Sequence, residues 1–281
     1  MMLINGKVTT QIDAQDRGLS YGDGLFETLA IIDGRPQLWQ QHIQRLQAGC
    51  ARLGIIMPAE ELLHDEIISL YQRQPPTDRH VDQAVVKVIL TRGKGERGYR
   101  VTNTARTSRI IILSAWPEYP HRHEDGISVR WCNTPLGLNP ALAGIKHLNR
   151  LEQVMARNEW QDDHIAEGLM LDVQGRVIEG TMSNLFIVKN QQLQTARLDQ
   201  CGIAGIIRQL ICDDSIGHGL SISEQYLNKT DILAADEVFV CNSLIGIWPV
   251  KYLYDLNQPQ DYIIGPVSQH VSSSLRAYLQ I

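Results

Sequence analysis

The stretch Leu142-Ala143-Gly144-Ile145-Lys146-His147-Leu148-Asn149-Arg150-Leu151-Glu152-Gln153 sets a single lysine between a short apolar run and the start of a predicted helix. Burial disfavours the charged ammonium, so a lysine in this position can be held partly neutral and can form an imine with a carbonyl. A solvated surface lysine is the ordinary alternative, and composition alone favours it, because charged side chains are rarely buried without a partner. The choice turns on whether the chain also carries the groups that a carbonyl cofactor on that lysine needs.

Three other segments supply such groups. Arg45 lies on the flank of an apolar helical stripe, Trp39, Ile43, Leu46, Cys50 and Leu53, and its guanidinium can make a forked contact with phosphate. Gly202-Ile203-Ala204-Gly205-Ile206-Ile207-Arg208 opens a predicted helix with glycines, leaving backbone N–H groups to face the same anion. Glu179, in Val177-Ile178-Glu179-Gly180-Thr181-Met182-Ser183-Asn184, offers a carboxylate that can pair with a protonated ring nitrogen and keep it charged as an electron sink. Taken singly these are a solvated helix face, a helix start and a strand-end carboxylate. Their order along one chain is what sets them apart.

That order resembles the fold-type IV pyridoxal-phosphate enzymes, the group of branched-chain and D-amino-acid aminotransferases and 4-amino-4-deoxychorismate lyase. The resemblance runs through Arg17 to Thr28, His42 to Leu46, the Lys146 segment, Glu179 to Phe186, Gly205 to Arg208 and Glu237 to Pro249, almost the whole chain. It implies pyridoxal 5′-phosphate as cofactor, with Lys146 as its imine-forming lysine and Glu179 as the partner of the pyridine nitrogen. It further implies that Arg45, the amides of Ile206 and Ile207, and Ser243 bind the phosphate, that Thr28 assists proton transfer, and that the chain forms a homodimer. Within the group, Thr91-Arg92-Gly93-Lys94-Gly95-Glu96-Arg97-Gly98-Tyr99 and the run from Ala143 to Gln153 resemble the lyase subfamily. The implied reaction is elimination of pyruvate from 4-amino-4-deoxychorismate to give 4-aminobenzoate, a step of folate-precursor synthesis.

That substrate carries two carboxylates and so needs a cationic pocket, for which Arg97 with Tyr99 is the candidate; a solvated loop arginine is the plainer reading. Leu151 stands where branched-chain aminotransferases carry a cofactor-touching tyrosine, which argues against that activity. Glu27 points the other way, since aminotransferases often carry glutamate there. A D- or branched-chain amino-acid aminotransferase is therefore the alternative, and a non-catalytic cofactor-binding protein is a third reading.

Composition sets the bounds. At about 100–200 residues per domain, the 281 residues are expected to form two domains. A formal charge of −5 excludes a broad basic face for nucleic acid or anionic membrane, while leaving room for a local basic pocket. No apolar run approaches the ~20 residues of a bilayer span, and the first residues lack a signal-peptide pattern, so a cytoplasmic setting is expected. Five scattered cysteines, Cys50, Cys132, Cys201, Cys212 and Cys241, fit reduced thiols rather than a disulfide frame or zinc site.

Periodicity predicts a hairpin turn at Asn5-Gly6, a strand from Phe26 to Ile32 entering a turn at Asp33-Gly34, and the Trp39 to Leu53 helix stopped by Gly54. A helix at Glu60 to Tyr71, ended by Pro75-Pro76, is followed by strands at Ala84 to Leu90 and Arg109 to Ser114. Further on, a helix follows Lys146, a strand pair flanks Gln174-Gly175, strands lie at Asn184 to Val188 and Glu237 to Val240, and helices begin at Gly205 and Val267. The proline-rich, aperiodic segment 116–126 is read as the linker between a first domain at 1–115, carrying Arg45 and the glycine loop, and a second at 127–281, carrying Lys146. The class is α+β, and the resemblance implies a two-domain architecture like that of D-amino-acid aminotransferase. Gly93-Lys94-Gly95-Glu96-Arg97-Gly98 satisfies G-x-G-x-x-G, but the following residues do not open a helix, so the dinucleotide reading is rejected. His121 and His123 form H-x-H without a cluster to complete a metal site, and read as solvated linker histidines.

Overall fold

The computed structural model describes all residues except 74–82, 102–105, 120–122, 217–218, 255–258 and 281, together with the side chain of Glu124. The prolines expected to end the second helix and His121 of the H-x-H pair lie outside the described residues. The chain divides into two compact units, Met1–Glu118 with Ile145–Asn149, and Tyr119–Gly144 with Arg150–Ile281.

The first unit contains β1 (Met2–Ile4), β2 (Lys7–Val8), α1 (Arg17–Tyr21), β3 (Gly24–Ile32), β4 (Arg35–Pro36), α2 (Trp39–Leu53), α3 (Glu60–Gln72), β5 (Gln83–Thr91) and β6 (Ser108–Ala115). Its six strands form an antiparallel sheet in the order β2-β1-β6-β5-β3-β4. Asn5-Gly6 and Asp33-Gly34 make the tight turns, each with both residues at positive φ, the backbone that a two-residue hairpin of the right twist requires. Leu25, Glu27, Leu29 and Ile31 of β3 are buried at every second position, and Glu27, Leu29 and Val88 line one cavity with Ile43, Leu46 and Leu63. The helices α2 and α3 thus cover one face of the sheet. Arg92 ties the end of α2 down: its guanidinium donates to the carbonyls of Leu53 and Gly54 and to both carboxylate oxygens of Asp23. These are carbonyls that a helix leaves without intrahelical partners.

The second unit runs β7 (Ile127–Trp131), α4 (Leu151–Arg157), β8 (Ile165–Leu171), β9 (Arg176–Gly180), β10 (Asn184–Lys189), β11 (Gln192–Ala196), α5 (Ile206–Cys212), β12 (Ile222–Gln225), β13 (Leu227–Asn228), α6 (Lys229–Leu233), β14 (Glu237–Asn242), β15 (Gly246–Tyr254), β16 (Pro259–Asp261) and α7 (Pro266–Leu279). Its strands follow the path β10-β14-β15-β7-β8-β9, and β9 pairs back onto β10 through Asn184 and Glu179, closing six strands into a ring. Leu185 and Ile187 lie opposite Val240 and Val238 and join the main buried cluster. On the other face Phe186 stacks on Phe239 at 5.1 Å between ring centroids. With both faces buried, these strands read as unbroken apolar runs rather than as an alternation. Glu237, itself buried, accepts from the amides of Val267 and Ser268 and anchors the start of α7. All five cysteines are free thiols, and burial pushes those of Cys50 and Cys132 up to about 11 and about 12, so both are packing groups.

The structure corrects one sequence expectation. Lys146 was assigned to the C-terminal domain by its place in the chain, but it groups with the first unit. The reason is backbone pairing: the amide of Phe26 donates to the carbonyl of Lys146, that of Leu148 donates to Gly24, and Leu25 faces His147 in an antiparallel bridge. The lysine segment is an added edge of β3.

Phe186→Ala should lower the unfolding free energy by about 3–5 kcal/mol, the cost of emptying a packed aromatic site, whereas Val173→Ala, on an exposed residue, should change it by less than about 0.5 kcal/mol. Urea unfolding of both variants checks the packing; equal effects would contradict it.

Candidate active site

In the first unit, the 146–148 edge puts Lys146 beside Phe26, with its Nζ 4.4 Å from the centre of the phenyl ring. Side chains alternate along a strand, so Phe26 and Thr28 share the face opposite Glu27. Both are half-buried, whereas Glu27 is buried beneath α2. Arg45, from α2, donates through Nε and Nη2 to the two oxygens of Glu27 at 2.8 and 2.5 Å. The Nδ1 of His42, one turn earlier, lies 2.7 Å from the same carboxylate. Burial pushes the Glu27 carboxyl up, but the charge of Arg45 and the hydrogen bonds from Arg45 and His42 overcome it and hold the group at about 2. Its contribution to stability is complete above the ordinary value of 4.5 and is lost as pH falls through about 2. Burial also lowers the pKa of His42 against the opposing pull of Glu27, so the imidazole is neutral and donates through Nδ1. Its buried Nε2 has no partner among the described residues.

The glycine loop belongs to this unit as well. Gly93 and Gly98 have positive φ, and no helix opens at Gly98 in the described residues. The loop is strapped to α1: Arg17 is buried and donates to the carbonyls of Gly98 and Tyr99, and the amide of Gly98 donates to the Tyr21 hydroxyl. Arg97 and Tyr99 are exposed, and the Tyr99 ring lies 5.5 Å from that of Tyr21.

The second unit holds the other assigned residues at the point where its strand ring closes. Glu179 is 3 % exposed; its Oε2 accepts from the amide of Ile203 at 2.8 Å, and its Oε1 lies 3.5 Å from the Gln153 amide nitrogen. Asn184, its strand partner, donates to the carbonyl of Ile203 and accepts from the amide of Gly205. The chain is thereby set for α5, which starts at Ile206 behind Gly205 with no side-chain cap on its first amides. A Cβ at Gly205 would fall 2.0 Å from Asn184 Oδ1, so a larger residue there would have to displace the side chain that accepts from the Gly205 amide. Ser243 follows β14 in a turn held by Asn242, whose side chain donates to Met182 and accepts from the amides of Leu244 and Ile245. Beneath the Gly180–Ser183 connection the buried Glu167 accepts from the amides of Thr181 and Met182 and the hydroxyls of Thr181 and Ser183.

Lys146, Thr28, Arg45, Arg97 and Tyr99 therefore belong to the first unit, and Glu179, Ile206, Ile207 and Ser243 to the second. Sequence reasoning missed the groups that hold these in place: Phe26 under Lys146, Glu27 and His42 around Arg45, Asn184 and Gln153 beside Glu179, and Glu167. The alternation in β3 carried a signal for Glu27, a carboxylate at an inward position. Nothing in the sequence singled out Gln153. Among the described residues no group of three or more His, Cys, Asp or Glu is placed to hold a metal.

The family model for class IV amino-transferases matches residues 24–253. The chain belongs to this family. It is 34% identical to aminodeoxychorismate lyase of Vibrio harveyi over 276 residues, 98% of this chain and 99% of that protein. A putative branched-chain-amino-acid aminotransferase of Methanocaldococcus jannaschii is 33% identical over 256 residues, 88% and 85% of the two chains. The crystal structure of 4-amino-4-deoxychorismate lyase from Pseudomonas aeruginosa superposes with a TM-score of 0.90 at 40% identity, covering all of both chains. The architecture is the fold-type IV one that the sequence implied, and the cofactor of the family is pyridoxal 5′-phosphate. Each unit carries donors of the kind that group needs: in the first an amine beside Phe26 and a carboxylate-braced guanidinium, in the second a buried carboxylate and a helix start with no side-chain cap.

As pH falls below 6.5 the unfolded chain takes up a proton at residue 42 that the folded protein resists, so this site loses stability toward acid. His42→Asn should therefore flatten the slope of unfolding free energy against pH between 6.5 and 5, measured by urea titrations. An unchanged slope would show that residue 42 is not the group concerned.

Proposed function

We propose that this protein is an aminodeoxychorismate lyase, converting 4-amino-4-deoxychorismate to 4-aminobenzoate and pyruvate. The observation that carries the reading is the end-to-end correspondence with the Pseudomonas aeruginosa and Vibrio harveyi lyases, at 40% and 34% identity with at least 98% of every chain covered. Glu27 no longer speaks for an aminotransferase. Its carboxylate is turned away from Lys146 toward Arg45 and His42, so it braces a binding group whatever reaction follows.

The Lys146 amine would hold the cofactor through its carbonyl group. With substrate present, Lys146 Nζ would take the proton from substrate C4. Glu179 keeps the ring nitrogen protonated, its orientation fixed by the Ile203 amide. When bound, the cofactor supplies an electron sink for the charge left at C4. The C–O bond on the neighbouring ring carbon then breaks, the ring becomes aromatic, and the enolpyruvate takes up a proton to leave as pyruvate. Lys146 Nζ and the Thr28 hydroxyl are the proton donors for that last transfer. Arg45, the Ile206 and Ile207 amides and the Ser243 hydroxyl bind the phosphate, and Arg97 with Tyr99 meets substrate carboxylate. The working form is a cytoplasmic homodimer. No helix among the described residues is long and apolar enough to cross a membrane.

Pyruvate and 4-aminobenzoate should form from aminodeoxychorismate with no 2-oxo acid present; amino transfer to an oxo acid as the sole reaction would sink the reading. Lys146→Ala should abolish turnover and the borohydride-trapped cofactor adduct, and an adduct persisting at another lysine would refute the attachment point. For Arg45 the informative change is to lysine, because alanine would leave the buried Glu27 carboxylate without its main partner and cost about 3–5 kcal/mol of stability. Arg45→Lys keeps the charge but loses the fork, and should weaken cofactor binding by about tenfold or more, the value of a charge-assisted hydrogen bond. Cofactor titration of the apoprotein reads this directly.

A further inference from the structure

The Phe26 ring carries two cations. Lys146 Nζ lies 4.4 Å from its centroid, and Lys87 Nζ, from β5, lies 4.9 Å from the same point. Lys87 stands directly opposite Thr28 in the β3–β5 ladder, and directly opposed residues project from the same face of a sheet. Phe26, Thr28 and Lys87 therefore share the face on which Lys146 presents its amine, while the other face is filled by α2 and α3.

Lys87 is exposed in the middle of a strand whose neighbours Val86 and Val88 are buried. Among the described residues no carboxylate lies within ion-pair distance of it, although Asp13, Asp23, Glu27 and Glu66 are each paired with another cation of this unit. An exposed lysine beside a second lysine, on an aromatic ring and with no carboxylate within ion-pair distance among the described residues, is open to an anion from outside. A carboxylate brought beside Lys146 gains from the charge of Lys87.

We propose that Lys87 is a specificity-determining residue that pairs with a carboxylate of the substrate beside Lys146 and favours dicarboxylate substrates. The proposal deepens the lyase reading and rests on it. It adds to the loop pair Arg97 and Tyr99 a second cationic contact on the sheet itself, so that the two carboxylates of the substrate meet separate groups.

Chorismate, which has both carboxylates but not the amine, is the probe. Isothermal titration of cofactor-loaded wild type should give saturable binding, which Lys87→Met weakens by about tenfold or more. Lys87→Arg should keep the affinity within about threefold, because the charge is retained. The cofactor absorbance spectrum should be the same in all three proteins, which separates loss of an anion contact from a disturbed site. With aminodeoxychorismate, Lys87→Met should raise KM much more than it lowers kcat. Unchanged chorismate affinity together with unchanged KM in Lys87→Met overturns the proposal. A wild type that does not turn over aminodeoxychorismate, but loses chorismate on the Lys87→Met change, overturns the lyase reading and leaves the lysine assignment standing.

Discussion

Glu179 and Asn184 face each other across the pair that joins β9 to β10, and that pair makes a ring of six strands out of an open row. β11 and β13 pair with other parts of these two strands, and at the closing position side chains add to the ladder. Asn184 reaches out to Ile203 and Gly205, Glu179 reaches to Ile203, and Glu167 gathers the Gly180–Ser183 turn that connects the two strands. A chemical group placed here is held by the fold's own closure. The Glu179 carboxylate is thereby held between the strand pairing and the Ile203 amide rather than on a loop.

The same device recurs through the molecule. Glu27, Glu167 and Glu237 are each buried, and each is surrounded by donors from separate elements: a helix guanidinium and imidazole, a turn, and a helix start. An unpaired buried carboxylate would cost several kcal/mol, so each such group enforces the arrangement of whatever satisfies it. Glu27 shows how this reaches function. It fixes the guanidinium of Arg45 along its Nε–Nη2 edge, and with it the direction that the arginine presents. The formal charge of −5 is thus not simply a solvated surface charge, since several of its carboxylates sit inside the fold as braces.

Local elements were legible where one face is wet. The phase of β3, both two-residue turns and the Gly54 stop of α2 follow from alternation, positive φ and capping, each of which leaves a mark in the residues. The α2 stripe was legible in outline, but Trp39 and Leu53 at its ends are half-buried while His42 is buried, because a carboxylate on the sheet below gives the imidazole a partner. β15 was not legible: Pro249 argues against a paired strand, yet it lies opposite Phe239 just before the parallel pairing with β7 begins at Val250. The grouping of Lys146 with the first unit was hidden for a different reason. It depends on backbone hydrogen bonds to Gly24 and Phe26, which no side-chain pattern encodes. The residues proposed to hold the cofactor stand out only through their order along the chain, since each alone has an ordinary structural reading.

The opposition between an acidic protein and an anionic ligand is resolved locally. Two unit charges about 5 Å apart interact by about 1 kcal/mol in water and about 3 kcal/mol at an effective dielectric of 20. A single exposed lysine therefore selects poorly for a dianion, and salt weakens it further. Under the proposal, the phenyl ring shared by Lys87 and Lys146 strengthens such a contact, because it removes water from one side of the Lys87 ammonium. Glu27, the nearest carboxylate in β3, is turned to the opposite face and already neutralised by Arg45. The alternation of a single strand thus separates the carboxylate that braces Arg45 from the face that carries Lys87 and Lys146. The residue order Phe26-Glu27-Thr28 is the shortest sequence that accomplishes this: aromatic platform, inward carboxylate, outward hydroxyl.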